Sequence, residues 1–262
     1  MSKSFSFSTY KSLLKGLRSK GSPSHLKGLS LFLDFDGTLT PVAGHPDDAF
    51  LCASMREILI ALKERYPVAI VTGRGLADIK KKVAIDGLTY VGNHGMEMSS
   101  DDFSFIYDIG LVESKAIAQV ASLVIKLASS YKGAVVEEKG LTLSVHYRLV
   151  SEAATPFFLK RLNSLLQSFD AEGLVKITGG KGLVEVRPTA DWDKGSAITW
   201  LMERSGFKGT VPLCIGDDET DEDAFRVIKD AGLSIFVGKR KNVADLNVPK
   251  QSEVEAVLAY LT

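Results

Sequence analysis

Two aspartates stand two residues apart in Leu33-Asp34-Phe35-Asp36-Gly37-Thr38-Leu39-Thr40, directly after the apolar run Leu31-Phe32-Leu33. Residues i and i+2 of a strand share a face, so both carboxylates start out on one side. An apolar strand ending in paired acids brings negative charge to the carboxyl edge of a sheet, where open α/β sheets bind ligands. Gly37 lets the chain turn there. A second acidic run, Asp217-Asp218-Glu219-Thr220-Asp221-Glu222-Asp223, follows another apolar run, 211–215. A helix start accounts for Glu219, Glu222 and Asp223, because the helix dipole favours acids in the first turn. It does not account for acids that immediately follow an apolar strand. The donors at both places are oxygens, no His cluster is nearby, and Cys214 lies within the apolar run itself. Such a set suits a hard cation such as Mg2+ and disfavours zinc.

The elements that must position these groups alternate along the chain. Short apolar runs at 31–33, 68–71, 88–91, 211–215 and 233–237 read as strands. The spacing of apolar residues predicts helices over 49–65, 76–83 and 221–231. Strands that are apolar throughout, separated by helices, predict a parallel sheet covered on both faces. The middle of the chain differs. Helices are expected over 112–129 and 152–169, and strands over 135–139, 141–148, 175–178 and 183–187. The run 141–148 alternates, with Leu141, Leu143, Val145 and Tyr147 opposite Thr142, Ser144, His146 and Arg148. One packed face and one wet face predict an antiparallel sheet backed by helices. The organisation expected is an N-terminal segment 1–28 with a short basic amphipathic helix over 10–18. An α/β core follows over 29–110 and 191–262, with an inserted α+β domain at 111–190.

Lys and Arg together equal Asp and Glu at 32 each. That balance speaks against a nucleic-acid partner held by a general basic surface. No apolar run approaches the roughly 20 residues that span a bilayer. Cys52 and Cys214 lie far apart in apolar sequence without CxxC spacing, so free thiols in a reducing compartment are expected. The expectation is a cytoplasmic monomer without a membrane partner.

The segment Asp34-Phe35-Asp36-Gly37-Thr38-Leu39 resembles the first motif of the haloacid dehalogenase superfamily of phosphotransferases. The later motifs of that superfamily are matched in order by Val71-Thr72-Gly73-Arg74, Asp193-Lys194-Gly195 and Gly216-Asp217-Asp218-Glu219-Thr220-Asp221. The resemblance implies a Rossmann-like core with a parallel sheet and helices on both faces, plus an inserted cap with an antiparallel sheet. It implies that Asp34 attacks phosphorus and that Asp36 serves as acid and base, its main-chain carbonyl also facing Mg2+. Thr72 and Lys194 complete the implied catalytic set. Asp34, Asp36 and Asp217 are the implied metal ligands, with Asp218 and Asp221 as further ligands or their supports.

The resemblance narrows to the trehalose-6-phosphate phosphatase family over five segments. These are 92–95, Val136-Glu137-Glu138-Lys139-Gly140, His146-Tyr147-Arg148, 180–188 and 216–223. It implies a cap that grips the sugar through Glu137, Lys139, Arg148, Lys181 and Glu185, and a core Arg74 that approaches the substrate. His94 is implied at the junction of core and cap, or as a structural histidine. The implied partners are a small-molecule sugar phosphate and the synthase that makes it. Two same-superfamily alternatives stay open: another sugar-phosphate phosphatase, such as one for sucrose 6-phosphate, and a phosphomutase. A silent sugar-phosphate sensor is a further alternative, against which the intact Asp34, Asp36, Lys194 and Asp217 speak.

Overall fold

A computed structural model describes residues 28–180, 182–204 and 206–262. The helix expected over 10–18 and the substrate-binding candidate Lys181 lie outside the described residues. The chain divides into two compact units. One ends at Ile106 and resumes over Trp192–Thr262, and the other is Tyr107–Asp191.

The first unit is built on an eight-stranded sheet, in the order β12-β11-β10-β1-β2-β3-β4-β5. Its parallel strands are β1 (Leu29–Leu33), β2 (Val68–Val71), β3 (Thr89–Gly92), β10 (Val211–Gly216), β11 (Leu233–Val237) and β12 (Leu246–Val248). β4 (Glu97–Ser99) and β5 (Ser104–Ile106) extend it in antiparallel sense. Parity divides the apolar strands between two cores. Leu31, Leu33, Ile70, Leu213 and Ile215 face α1 (Ala53–Lys63), α2 (Leu76–Val83) and α7 (Val254–Ala259). Phe32, Ala69, Val71, Cys214 and Phe236 face α5 (Lys194–Met202) and α6 (Asp221–Ile228). The strands read as apolar throughout because each of their faces meets a helix layer.

The second unit has a four-stranded antiparallel sheet in the order β6-β7-β9-β8. Its strands are β6 (Val135–Glu138), β7 (Leu143–His146), β8 (Val175–Gly180) and β9 (Leu183–Pro188). Leu143, Val145, Val184 and Val186 pack against α3 (Gly110–Ala128) and α4 (Thr155–Ala171). Their neighbours along each strand point to the opposite face, which carries Glu137, Ser144, Glu185 and Thr178 in register. β7 is shorter than the alternation predicts, and Arg148 sits in the turn that follows rather than on the strand. Both cysteines are free, but Cys52 is exposed at the start of α1, against the apolar setting expected for it. No described helix is long and apolar enough to cross a membrane.

Adjacent phenylalanines of α4 offer a test of this packing. Phe158 is fully buried among the second unit's core residues, whereas Phe157 is 68% exposed. Phe158→Ala should cost about 3–5 kcal/mol in urea unfolding. Phe157→Ala should stay within about 0.5 kcal/mol of wild type. Similar losses for the two variants would refute the orientation of α4 on the sheet.

Candidate active site

The site of the first unit lies at the carboxyl ends of β1, β2 and β10. Asp34 follows β1, and its N–H donates to the Ile215 carbonyl at 2.9 Å, so the ladder with β10 runs into the motif. The chain then turns tightly. Leu39 and Thr40 donate their N–H groups to the Phe35 carbonyl at 3.0 and 2.9 Å, and Gly37 adopts φ +89°. Gly37 is required twice over: its backbone is left-handed, and a Cβ there would overlap the Asp217 carboxylate. Gly216 plays the matching part at the end of β10, where a Cβ would overlap the carboxylate of Asp221.

Lys194 opens α5, whose N-cap Asp193 accepts from the Ser196 N–H at 2.8 Å. The Lys194 ammonium is buried and donates to Asp34 at 2.9 Å and to Asp221 at 2.6 Å. Asp221 uses its second oxygen to accept from the N–H groups of Asp217 and Asp218, at 2.9 and 3.1 Å. One carboxylate thus ties the acidic loop to the lysine. Asp218 accepts from the N–H groups of Thr220 and Asp221 in the turn that leads into α6.

Asp34, Asp217 and Asp221 bring carboxylate oxygens within 4.8 Å of one another. Burial, reinforced by Asp221, holds Asp34 well above the usual carboxylate range. Burial and the neighbouring Asp221 and Asp218 push Asp217 up to about 8. Burial raises Asp221 to about 6 against the opposing pull of Lys194. Burial alone would lower Lys194, yet Asp221 and Asp34 hold it well above its ordinary value. Two buried acids and the half-buried Asp217 crowd one buried ammonium, and this all-oxygen cluster fits a divalent hard cation, whose charge would favour the ionised carboxylates. Of the expected metal ligands, Asp34 and Asp217 belong to this cluster and Asp221 joins them. The Asp36 side chain does not, which leaves its main-chain carbonyl as the group with which Asp36 could serve a metal.

Asp36 instead receives both of its side-chain hydrogen bonds from Arg74, with Nε at 2.6 Å and Nη2 at 2.8 Å. Arg74 is 7% exposed and also donates to Asp78 at 2.8 Å and to the Pro46 carbonyl at 3.0 Å. Asp78 went unnoticed in the sequence, although Arg74 and Asp78 have the four-residue spacing of a helical ion pair. Thr72 is buried at the end of β2, where its hydroxyl accepts from the Arg74 N–H at 3.2 Å and keeps its own hydrogen to donate. His94 is buried in this unit with φ +55°, and a Cβ on Gly73 would meet its ring.

The second unit carries its own polar cluster. Lys139 donates to Glu185 at 2.9 Å, and Ser144 to the same oxygen at 3.4 Å. His146 pairs with Glu137 at 3.2 Å. Three of the expected substrate-binding residues, Glu137, Lys139 and Glu185, thus share one face of the sheet. Arg148 projects from the turn beside Gly182. Arg187, buried on the same face, was left out of the expected set, and its Nε has no hydrogen-bond partner among the described residues.

Comparison with known proteins agrees with this construction. The family model described as trehalose-phosphatase matches residues 32–255. The chain is similar to the probable trehalose-phosphate phosphatase D of Arabidopsis thaliana, at 33% identity over 90% of this chain and 67% of that protein. Its fold is similar to that of a C. albicans trehalose-6-phosphate phosphatase C-terminal domain, at 22% identity and TM-score 0.82 over 96% of each chain. A haloacid dehalogenase-like hydrolase from Bacteroides thetaiotaomicron shares the fold at 16% identity and TM-score 0.61, over 90% of this chain and 99% of that one. With the four motifs assembled at one sheet edge and the match spanning both units, the chain belongs to the trehalose-phosphatase family.

Proposed function

We propose that this protein is a Mg2+-dependent phosphatase that hydrolyses trehalose 6-phosphate to trehalose and phosphate through a phosphoaspartyl enzyme, the last step in making trehalose. The observation that carries the reading is Lys194 held between Asp34 and Asp221, with Asp36 two residues beyond Asp34. A carboxylate can attack a phosphate dianion only where the negative charge is offset, and Lys194 supplies part of that offset beside the nucleophile. Asp34 and Asp217 would hold the Mg2+, with Asp221 and the Asp36 carbonyl as further oxygens, and the ion would draw charge from the phosphoryl oxygens.

In the first step an Asp34 oxygen bonds to phosphorus as the sugar C6 oxygen leaves, taking a proton from Asp36. In the second a water oxygen bonds to phosphorus, its proton passes to Asp36, and the Asp34–phosphorus bond breaks. Thr72 donates to a phosphoryl oxygen in both. The transition state is loose, so positioning and charge offset carry the rate. The segment 107–191 serves as the cap that sets specificity. Glu137 and Glu185, on its polar face, accept from sugar hydroxyls, while Lys139, Arg148 and Lys181 donate to sugar oxygens. The protein works as a cytoplasmic monomer, and the synthase that supplies its substrate is its candidate protein partner.

Asp34→Asn keeps the shape of the nucleophile and removes its charge. Turnover should fall below about a thousandth of wild type, roughly 4 kcal/mol of lost stabilisation, while the thermal melt persists. Retained turnover would remove Asp34 from the role.

Exhaustive chelation should abolish phosphate release, and added Mg2+ should restore it. Full activity in the chelated enzyme would sink the metal assignment.

Glu137→Ala and Glu185→Gln should lower kcat/KM for trehalose 6-phosphate about ten- to a hundredfold, the loss of one charged hydrogen bond. Hydrolysis of 4-nitrophenyl phosphate, which offers no sugar, should change little. Equal losses on both substrates would assign these residues to the stability of the unit instead of specificity.

A further inference from the structure

We infer that Arg74, pinned in place by Asp78, is the positioning residue that aims the Asp36 carboxylate for its two proton transfers. This rests on the phosphoaspartyl reading above and adds to it a part for two residues outside the reacting set. The argument begins with what Arg74 touches. Nε and Nη2 meet the two oxygens of Asp36, Nη1 meets Asp78, and Nη2 also reaches the Pro46 carbonyl. Four contacts occupy the planar fork, so little of it remains to bind a phosphate or a sugar.

The main chain of Arg74 is fixed as well. Its N–H donates to Thr72 Oγ1 at 3.2 Å, and its carbonyl accepts from the Asn93 N–H at 2.7 Å. The guanidinium lies 5.5 Å from the centre of the Phe35 ring, between the two motif aspartates in sequence. The Arg74 side chain is 9% exposed, while that of Asp36 is 36% exposed. A partly open carboxylate next to a Gly turn would swing between rotamers without a partner. A two-point clamp holds both oxygens and leaves their remaining lone pairs directed away from the guanidinium. Only arginine offers that fork, since lysine is a point charge. Asp78 lies on the first turn of α2, so the clamp is anchored to a helix rather than to a loop.

The consequence falls on the proton and not on substrate binding. Misplacement of a reacting group by about 1 Å costs on the order of a hundredfold in rate. Departure of a sugar alkoxide needs the proton of Asp36, whereas nitrophenolate leaves without one. Hydrolysis of the phosphoaspartate needs Asp36 as base whatever the leaving group was.

The test uses the full chain with Mg2+, comparing wild type, Arg74→Lys, Arg74→Gln and Asp78→Asn. For Arg74→Gln, kcat on trehalose 6-phosphate should fall about a hundredfold with KM within about threefold. On 4-nitrophenyl phosphate in rapid mixing, the same variant should release a burst of nitrophenolate equal to the enzyme concentration and then turn over slowly. Acid quench should trap the phosphoenzyme. Arg74→Lys should show the same pattern at about a tenfold loss, and Asp78→Asn a weaker version with an unchanged thermal melt. Asp78→Asn keeps the test decisive if an Arg74 variant does not fold. A raised KM with kcat retained would make Arg74 a substrate contact and overturn the inference. So would equal losses on both substrates without a burst. A wild type that forms no phosphoenzyme would instead overturn the phosphoaspartyl reading beneath it.

Discussion

The first unit is organised around a charge imbalance at the joined ends of β1 and β10, where Asp34, Asp221 and the Lys194 ammonium are buried and Asp217 is half-buried. Burying an ion is expensive unless its hydrogen bonds are made, and removing one partner of a buried pair exposes the full cost. Asp221 shows how that cost is met. One of its oxygens takes the Lys194 ammonium, and the other takes two main-chain N–H groups of the loop that carries Asp217. The glycines at 37 and 216 follow from the same constraint, because the carboxylates occupy the space that side chains would need. The surplus of negative charge is also what makes the cluster useful. Its oxygens lie close enough together to suit a hard cation.

The scaffold supplies rigidity to each member by a different route. Asp34 extends a strand whose five residues are all buried. Lys194 begins a helix with its own aspartate cap, and Thr72 directly follows a strand that pairs with two neighbours. Asp36 has no such backbone anchor for its carboxylate and is held from the side by a buried arginine. The second unit meets a similar demand on the polar face of a small sheet. There Glu185 is satisfied by Lys139 and Ser144, while the opposite face packs against two helices. The cross-strand register brings Glu185, Lys139 and Ser144 together, while the Arg187 Nε on the same face has no hydrogen-bond partner among the described residues.

Five of the six parallel strands, and the helices that cover both their faces, follow from a local property: apolar runs separated by helical spacing. The two-faced sheet of the second unit follows from alternation at 143–146. β4, β5 and β12 were not legible, because three-residue strands carry too little pattern and exist by pairing with a neighbour already in place. The turn that carries Arg148 is likewise a tertiary matter, since alternation along the chain continues past the point where β7 ends.

For the site, the sequence by itself determined which groups are acids and bases and that they come at the ends of apolar strands. Resemblance to the motifs of the haloacid dehalogenase superfamily implied that Asp34, Thr72, Lys194 and Asp217 form one set. Only the tertiary structure decided how the charges are shared. Arg74 is one basic residue among many in a sequence, and nothing local says whether its guanidinium meets a substrate or Asp36. Asp221 reads as one more acid in a helix start until Lys194, 27 residues away, is placed against it. Cys52, set in apolar sequence, is exposed because the start of α1 lies at the surface. Pattern along a chain reports which side of an element is buried. Partners and shared protons are set by distances between elements, which exist only after the fold has brought them together.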